Sequence, residues 1–378
     1  MLDGKKILFA AGGTAGHINP ALAVAGLIHR LHPETQILFV GTADHMEARL
    51  VPEAGFRFAS IDISGFQRSL SLQNIKRNLG TLRRLLRVTG QVERILDAFQ
   101  PDAAVGFGGY VSGPVLRTAA KRGIPTAIHE QNAFPGVTNK ALAKKVDAVM
   151  LTAEAAGDRM QCKYPPIHTG LPIRREFLRT DRAQSRRELG LDTRRMALSA
   201  GGSLGAKAIN ESVTGMLSLL WKEHTFCFHH AYGQYGKWVP ERLRTAGIDI
   251  RPPELTVREY IDDMPRCMAA ADLVIARAGA STLSELQAMG KPSILIPSPN
   301  VAENHQYHNA KVLADRGAAV LLEESELTPQ RLAETVRALL GDPVRLEDMS
   351  KAAKALAVTD AAERIYDGID RLLSPSSP

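Results

Sequence analysis

Residues 274–309, VIARAGASTLSELQAMGKPSILIPSPNVAENHQYHN, hold the densest set of groups able to bind a ligand. A strand at 273–276 runs into a turn on Gly279. Ser281 or Thr282 then caps a short helix to Met289, which Gly290 and Pro292 end. A strand feeding a glycine turn and a helix start leaves unpaired N–H groups at the C-terminal edge of a sheet. Such a place suits an anion, above all a phosphate. A charge at a helix end is typically worth ~0.3–1 kcal/mol, and up to ~2 when partly buried. Glu285 lies one turn in from Ser281 on the same face. A carboxylate there repels a phosphate but accepts two hydrogen bonds well, which suits a ribose diol. Glu303, Asn304, His305, Gln306 and Asn309 follow a strand at 294–297, where a sugar's hydroxyls could be read. On these residues alone, an ordinary αβ unit with a capped helix is the plain alternative.

Three further glycine turns share the pattern. In AAGGTAGHINP, residues 10–20, Gly12, Gly13 and Gly16 allow close approach of a ligand, and Pro20 sits near the start of the next helix. The order GGxxG, with no acidic residue clearly placed at the next strand's end, is not the dinucleotide fingerprint. His17, at the edge of the first strand, is either a general base or a histidine that hydrogen-bonds its own loop. GFGGYVSGP, residues 106–114, passes close either to a phosphate or to a packed helix. HEQN, residues 129–132, sets Glu130, Gln131 and Asn132 at the same sheet edge, where open α/β sheets bind ligands. In GGSLGAKAIN, residues 201–210, Ser203 could bond a phosphate at a helix start. Arg174 and REYIDDM, residues 258–264, border this region, and Asp262 and Asp263 read as a helix cap. No Asp-x-Asp pair or His/carboxylate cluster points to a metal, and no cofactor is expected. A departing diphosphate would then rely on helix ends and glycine turns.

The elements that position these turns alternate. Strands are expected at 7–10, 37–40, 56–61, 103–105, 126–128 and 148–151, with helices such as 20–31 and 111–122 between them. This predicts an α/β fold with a mostly parallel sheet covered on both faces. KYPPIHTGLP, residues 163–172, reads as a hinge. The pattern then restarts with strands at 196–200, 226–231, 248–251, 273–276, 293–297 and 319–322, and a helix at 206–220. Helices at 328–340 and 344–357 precede a last one at 361–373 that crosses back to the first domain. The division is 1–163, with about 358–374, and 164–357.

The 378 residues exceed the size at which one core usually stops growing, so two domains are expected. No apolar run approaches the ~18 residues of a spanning helix. The start, MLDGKKILFAAGG, reads as a first strand rather than a signal peptide. Cys162, Cys227 and Cys267 are scattered, which suits free thiols in a reducing cytosol. The net charge of +7 calls for an acidic partner. Residues 63–92 contain no acidic side chain, and six arginines and lysines interleave there with leucines. That stretch is either an amphipathic helix for an anionic membrane interface or a core helix with a solvated face. Phe66 is the only aromatic among these basic residues, which argues against RNA, and no nucleic acid is expected.

GGTAGHINPALAVA, GTADHMEARLVPEAG, GFGGYVSGP, HEQNAFPGVTNKALAK, GGSLGAKAIN, YIDDM and GASTLSELQAMGKP occur in this order, and together they resemble the MurG family. The resemblance runs from about Lys6 to the final helix. It implies the GT-B fold of glycosyltransferase family 28: two Rossmann-like domains with a cleft between them and a C-terminal helix returning to the N-terminal one. It implies transfer of GlcNAc from UDP-GlcNAc to the C4 hydroxyl of MurNAc in lipid I, with inversion, to give lipid II. It implies a peripheral protein on the cytoplasmic face of the membrane, with UDP-N-acetylglucosamine, lipid I, an anionic membrane surface and other cell-wall synthesis proteins as partners. His17 is the implied base. Thr14, Ala15 and Gly16 match the first turn, and Asn132 and Gln306 match residues near the sugar. Arg174 and Ile261 match residues around the uracil, and Ser203 a phosphate contact. Ala280, Ser281, Thr282, Leu283, Ser284 and Glu285 match the turn and helix under the diphosphate, with Glu285 on the ribose. The sequence departs from the pattern at Ala15, where a glycine is common, at Leu204, where glutamine is frequent, and in VAENH before Gln306. A UDP-GlcNAc 2-epimerase and a non-catalytic nucleotide-sugar-binding membrane tether are the rival readings.

Overall fold

The computed structural model describes residues 2–63 and 87–374. Of the basic stretch 63–92, residues 64–86 therefore lie outside the described residues.

Short apolar runs become parallel strands, fully buried at the centre of each sheet and more exposed at its edges. In the first unit these are β1 (Lys6–Ala10), β2 (Gln36–Gly41), β3 (Arg57–Ser60), β4 (Ala103–Gly106), β5 (Thr126–Glu130), β6 (Ala148–Leu151) and β7 (Ile167–His168). Their order is β3-β2-β1-β4-β5-β6-β7. The second unit holds β8 (Arg195–Ala200), β9 (Phe226–Ala231), β10 (Leu255–Arg258), β11 (Leu273–Ala276), β12 (Ser293–Leu295) and β13 (Ala319–Leu321), in the order β10-β9-β8-β11-β12-β13. Every residue of β4, β5, β9 and β11 is buried, as parallel strands with helices on both faces require. In each sheet the order reverses beside the first strand, between β1 and β4 and between β8 and β11. Loops splay apart at such a switch point and leave room for a ligand at the carboxyl ends of the strands. The fold is GT-B, built from two Rossmann-like units.

The chain divides into Met1–Pro172 with Asp360–Pro378, and Ile173–Thr359. The break follows the proline-rich segment 163–172. The helix Ala361–Leu373 returns to the first unit, where Ile365 and Ile369 pack with Ile18, Val24 and Ile28 of the helix Ala15–Leu31. The Tyr366 hydroxyl and His32 Nε2 lie 2.7 Å apart, and the two rings stack. A Cβ on Gly368 would sit 2.9 Å from the Met150 sulfur, so glycine is what lets this helix lie against β6. In the second unit two apolar clusters cover the two sheet faces. No helix among the described residues is long and apolar enough to cross a membrane.

Three expectations need correction. The strand placed at 248–251 is absent; β10 forms instead at Leu255–Arg258, after Pro252 and Pro253. Neither proline carries an N–H for a ladder, so pairing starts only beyond them. The first helix begins at Ala15 rather than near Pro20, which lies inside it. Pro20 cannot donate to the Gly16 carbonyl, which removes one bond from the turn next to His17. Asp263 occupies the N-cap position of the helix Met264–Ala270 but makes no side-chain cap bond.

Because Ile365 is fully buried where the returning helix packs against the helix Ala15–Leu31, Ile365→Ala should lower unfolding free energy by ~2–4 kcal/mol, read from the urea midpoint. An unchanged midpoint would mean that this helix adds nothing to the first unit.

Candidate functional site

In the first unit the loops after β1, β4 and β5 are tied together by hydrogen bonds. Gly13 has a φ of +86°, and the helix then starts at Ala15 with Thr14 as N-cap. Ala15 is thus an ordinary helical residue, and its methyl meets no backbone penalty. The left-handed conformation that demands glycine falls on Gly13. His17 stands on the first helical turn, half-buried, with Nδ1 3.0 Å from the Gly12 carbonyl oxygen and 3.2 Å from Thr14 Oγ1. A carbonyl only accepts, so Nδ1 carries the proton and Nε2 carries the lone pair.

The second glycine loop closes over this histidine. A Cβ on Gly108 (φ +102°) would lie 2.7 Å from His17 Cδ2, and one on Gly109 would lie 2.4 Å from the Gly12 oxygen. GFGGYVSGP thus packs tightly against the neighbouring turn and its histidine. Ser112 Oγ accepts from the Gly108 N–H at 3.0 Å and lies 3.0 Å from the Ala10 oxygen, which pins the loop to the end of β1.

Asn132 is oriented by Glu130. The Glu130 carboxylate accepts from the Asn132 backbone N–H (2.9 Å), the Asn132 side chain (3.3 Å), Gly136 N–H (3.0 Å) and Asn139 Nδ2 (2.8 Å). His129 beside it is fully buried, with Nε2 2.8 Å from the Gly170 oxygen, and burial holds its pKa down to about 4. It is a neutral structural group, and Gln131, bonded to the Phe107 oxygen at 2.7 Å, links this loop to the second one.

Glu47, within GTADHMEARLVPEAG, is a residue that sequence reasoning missed. It is completely buried on the helix Glu47–Glu53 beneath the first glycine turn. Its Oε2 accepts from the Gly13 N–H at 3.1 Å, and its Oε1 from the N–H and hydroxyl of Thr42 at 3.0 and 2.7 Å. Burial pushes its pKa up, but the bonds from Thr42 and Gly13 outweigh that and hold it below the usual carboxylate range. A Cβ on Gly12 would meet Glu47 Oε1 at 2.6 Å.

In the second unit a cavity of about 690 Å³ opens at the carboxyl ends of β8, β9 and β11. Six of the singled-out residues line it: Arg174, Ile261, Ser203, Thr282, Glu285 and Gln306. The helix Ala280–Met289 is capped by Gly279, not by Ser281 or Thr282, so Ala280, Ser281 and Thr282 are its first three residues. The first intrahelical bond is Leu283 N–H to Gly279 O, at 3.0 Å. The three preceding amides have no intrahelical acceptor and point out of the helix end. Leu283 and Ser284 are buried, and Leu283 packs in the core, so their side chains serve the helix rather than the cavity.

Glu285 is mostly buried, with Arg174 NH2 3.7 Å from its Oε1 and the Arg174 guanidinium 4.7 Å from the Phe177 ring centre. Burial dominates, so the carboxyl is pushed up to about 7 despite the arginine. Gln306 Oε1 accepts from the Ser298 N–H at 2.9 Å, which fixes its amide plane. Arg277 donates to the carbonyls of Ile296 and Pro297, both at 3.1 Å, and pairs with Glu324. Sequence reasoning missed Arg277, although an arginine between a buried strand and a glycine turn is a visible signal. It also missed Tyr260, 56% exposed, and Met264, both on the cavity wall. Leu204, one of the departures, is exposed on the same wall. Glu303 and Asn304 both have φ near +50°, which bends the chain sharply just before Gln306.

The glycosyltransferase family 28 N-terminal domain matches residues 7–151, and the family 28 C-terminal domain matches residues 196–365. The UDP-N-acetylglucosamine--N-acetylmuramyl-(pentapeptide) pyrophosphoryl-undecaprenol N-acetylglucosamine transferase of Acetivibrio thermocellus is 42% identical over 97% of this chain and 98% of its own. A crystal structure of Acinetobacter baumannii MurG is 31% identical, with a TM-score of 0.77 over 97% of this chain and 99% of that one. A UDP-GlcNAc 2-epimerase from Neisseria meningitidis, bound to UDP-GlcNAc, shares the fold alone, at 14% identity and a TM-score of 0.64 over 97% of this chain and 100% of that one. With both domains matched and full-length relatives above 40% identity, the chain belongs to glycosyltransferase family 28 and, within it, to the MurG family.

Proposed function

We propose that the protein moves GlcNAc from UDP-GlcNAc to the C4 hydroxyl of MurNAc in undecaprenyl-diphosphate-MurNAc-pentapeptide, lipid I, with inversion, to give lipid II for peptidoglycan. The observation that carries this is the cavity wall of the second unit. Glu285 sits one turn inside a helix whose first amides are uncommitted within the helix, in a chain aligned end to end with transferases of that name. The ionised carboxylate accepts both hydrogen bonds of a ribose diol. Ile261 and Arg174 flank the uracil. The amides of Ala280, Ser281 and Thr282, with Ser203, take the diphosphate, and Leu283 and Ser284 hold that helix in the core. Gln306 and Asn132 read the GlcNAc hydroxyls.

The second unit takes the donor and the first takes the acceptor. The acceptor O4 bonds to the anomeric carbon as the bond from that carbon to the β-phosphate oxygen breaks. The O4 proton passes to Nε2 of His17, and the electron pair leaves with UDP. Thr14, Ala15 and Gly16 form the turn that presents His17. Backbone amides aimed at the leaving oxygen stabilise charge that grows only in the transition state. The basic residues within 63–92 support a peripheral seat on an anionic membrane at its cytoplasmic face, beside other cell-wall synthesis proteins, since each basic residue near such a surface adds ~1 kcal/mol.

The direct test is UDP release from UDP-GlcNAc with and without a lipid I analogue. Release only with the analogue is expected. Conversion of UDP-GlcNAc alone to ManNAc products would indicate an epimerase, and binding without turnover a tether.

His17→Ala should lower kcat at least tenfold, and up to the ~10²–10⁴-fold that a positioned base contributes, while UDP affinity stays near the parent value. Unchanged turnover would remove His17 from the role.

Glu285 makes ribose binding pH-dependent. Its carboxyl sits at about 7 without ligand, and the ionised form is the better acceptor. Uridine, which lacks the titrating phosphates of UDP, should bind more tightly as pH rises through about 7 and more weakly below it. Glu285→Gln should flatten that profile. A flat profile in the parent protein would detach Glu285 from the ribose.

A further inference from the structure

The peptide joining Gly12 to Gly13 is engaged at both ends. Its N–H, on Gly13, donates to Glu47 Oε2 at 3.1 Å, and its C=O, on Gly12, lies 3.0 Å from His17 Nδ1. One peptide plane thus connects a buried carboxylate to an imidazole. We infer that Glu47 is a positioning residue for His17, acting through this peptide as the orienting acid of a carboxylate–peptide–histidine relay. The inference rests on the reading of His17 as the base.

A carboxylate accepting the N–H of a peptide draws positive charge to that end and leaves its carbonyl oxygen more negative, because successive hydrogen bonds strengthen one another where water is excluded. The Gly12 oxygen is then a stronger acceptor, which holds the proton on Nδ1 and makes Nε2 more basic. A carboxylate bonded directly to a catalytic histidine does the same. When Nε2 takes a proton, the imidazolium forms opposite a dipole already aligned to favour it, with no reorganisation.

The carboxylate is built in rather than incidental. Glu47 is completely buried, and both its oxygens are bonded. Two glycines make room for it: a Cβ on Gly12 would meet Oε1 at 2.6 Å, and one on Gly41 would meet Cγ at 2.5 Å. A buried carboxylate is costly unless hydrogen-bonded, and three donors from two loops meet that requirement here.

His45 on the same loop lies near Glu47 and is bonded to Asp44 at 2.8 Å, out in solvent. The Glu47 carboxylate meets uncharged donors, the Gly13 N–H and the N–H and hydroxyl of Thr42, and His17 Nδ1 meets the Gly12 oxygen and Thr14 Oγ1. Glu47 is the carboxylate bonded to the peptide that His17 meets.

The test is an imidazole 15N–1H NMR titration of the full-length protein, paired with kcat against pH, for the parent, Glu47→Gln and Glu47→Asp. In the parent the Nδ1–H tautomer is expected. Glu47→Gln should lower the His17 pKa by about one unit, the small end of what a nearby opposite charge does, and move the acid limb of kcat down with it. It should also lower kcat by about tenfold, as loss of an orienting partner behind a histidine does elsewhere, with UDP affinity in the second unit unchanged. Glu47→Asp keeps the charge and should retain most of the pKa. Failure of the inference is distinct from failure of the reading beneath it. If His17→Ala lowers turnover but the His17 pKa and tautomer are the same in Glu47→Gln as in the parent, the relay is wrong. Equal losses in the Asp and Gln variants with no shift of the acid limb would make Glu47 a structural residue only. If His17→Ala is fully active, the base assignment itself falls.

Discussion

Backbone N–H groups at the open end of a parallel sheet must find an acceptor, and the acceptor they find sets the chemistry of each unit. Each unit sends a buried strand into a glycine turn and then a helix, β1 in the first and β11 in the second, so both create the same surplus of donors. They spend it differently. In the first unit the Gly13 amide turns inward to Glu47, and a carboxylate sits directly beneath the turn. A phosphate above that turn would face a negative charge and one donor fewer. In the second unit Gly279 and Thr282 line a cavity, and the helix makes its first internal bond only at Leu283. One turn is closed on a carboxylate and a histidine, and the other leaves its donors outside the helix's own ladder.

Three glutamates show how far environment separates identical side chains. Glu47 and Glu130 are both buried, and each collects backbone and side-chain donors on both oxygens. They act as rivets between loops. Glu285 is nearly as enclosed, but the charge it sees is Arg174 at 3.7 Å, a partner more than half exposed. Burial therefore raises its carboxyl to about 7, where the other two have donors on both oxygens.

Much of this architecture was legible in the chain. The apolar runs, glycine turns and helix lengths predicted two doubly wound units, and the final helix was placed within its observed bounds, Ala361–Leu373. Local rules failed where two local signals competed. At 248–251 an extended apolar pattern lost to the two prolines that follow it. At 15–20 a proline suggested a helix start, yet the turn before it was already helical, because Thr14 and the glycines allow the chain to enter the helix earlier. Ser281 and Thr282 looked like caps by type, but Gly279 has the extended φ and ψ that capping requires.

The sequence alone determined which residues could carry chemistry and which elements would bear them, because periodicity, glycine and proline act within a few residues. It could not reveal that Glu47 lies under Gly13, 34 positions away, or that Gly108 yields its Cβ space to His17. Nor could it say that Glu285 is buried enough to hold its proton near neutrality. Those features come from which strands lie side by side. Hydrogen bonding, burial and protonation depend on neighbours in space, and only the tertiary structure names them.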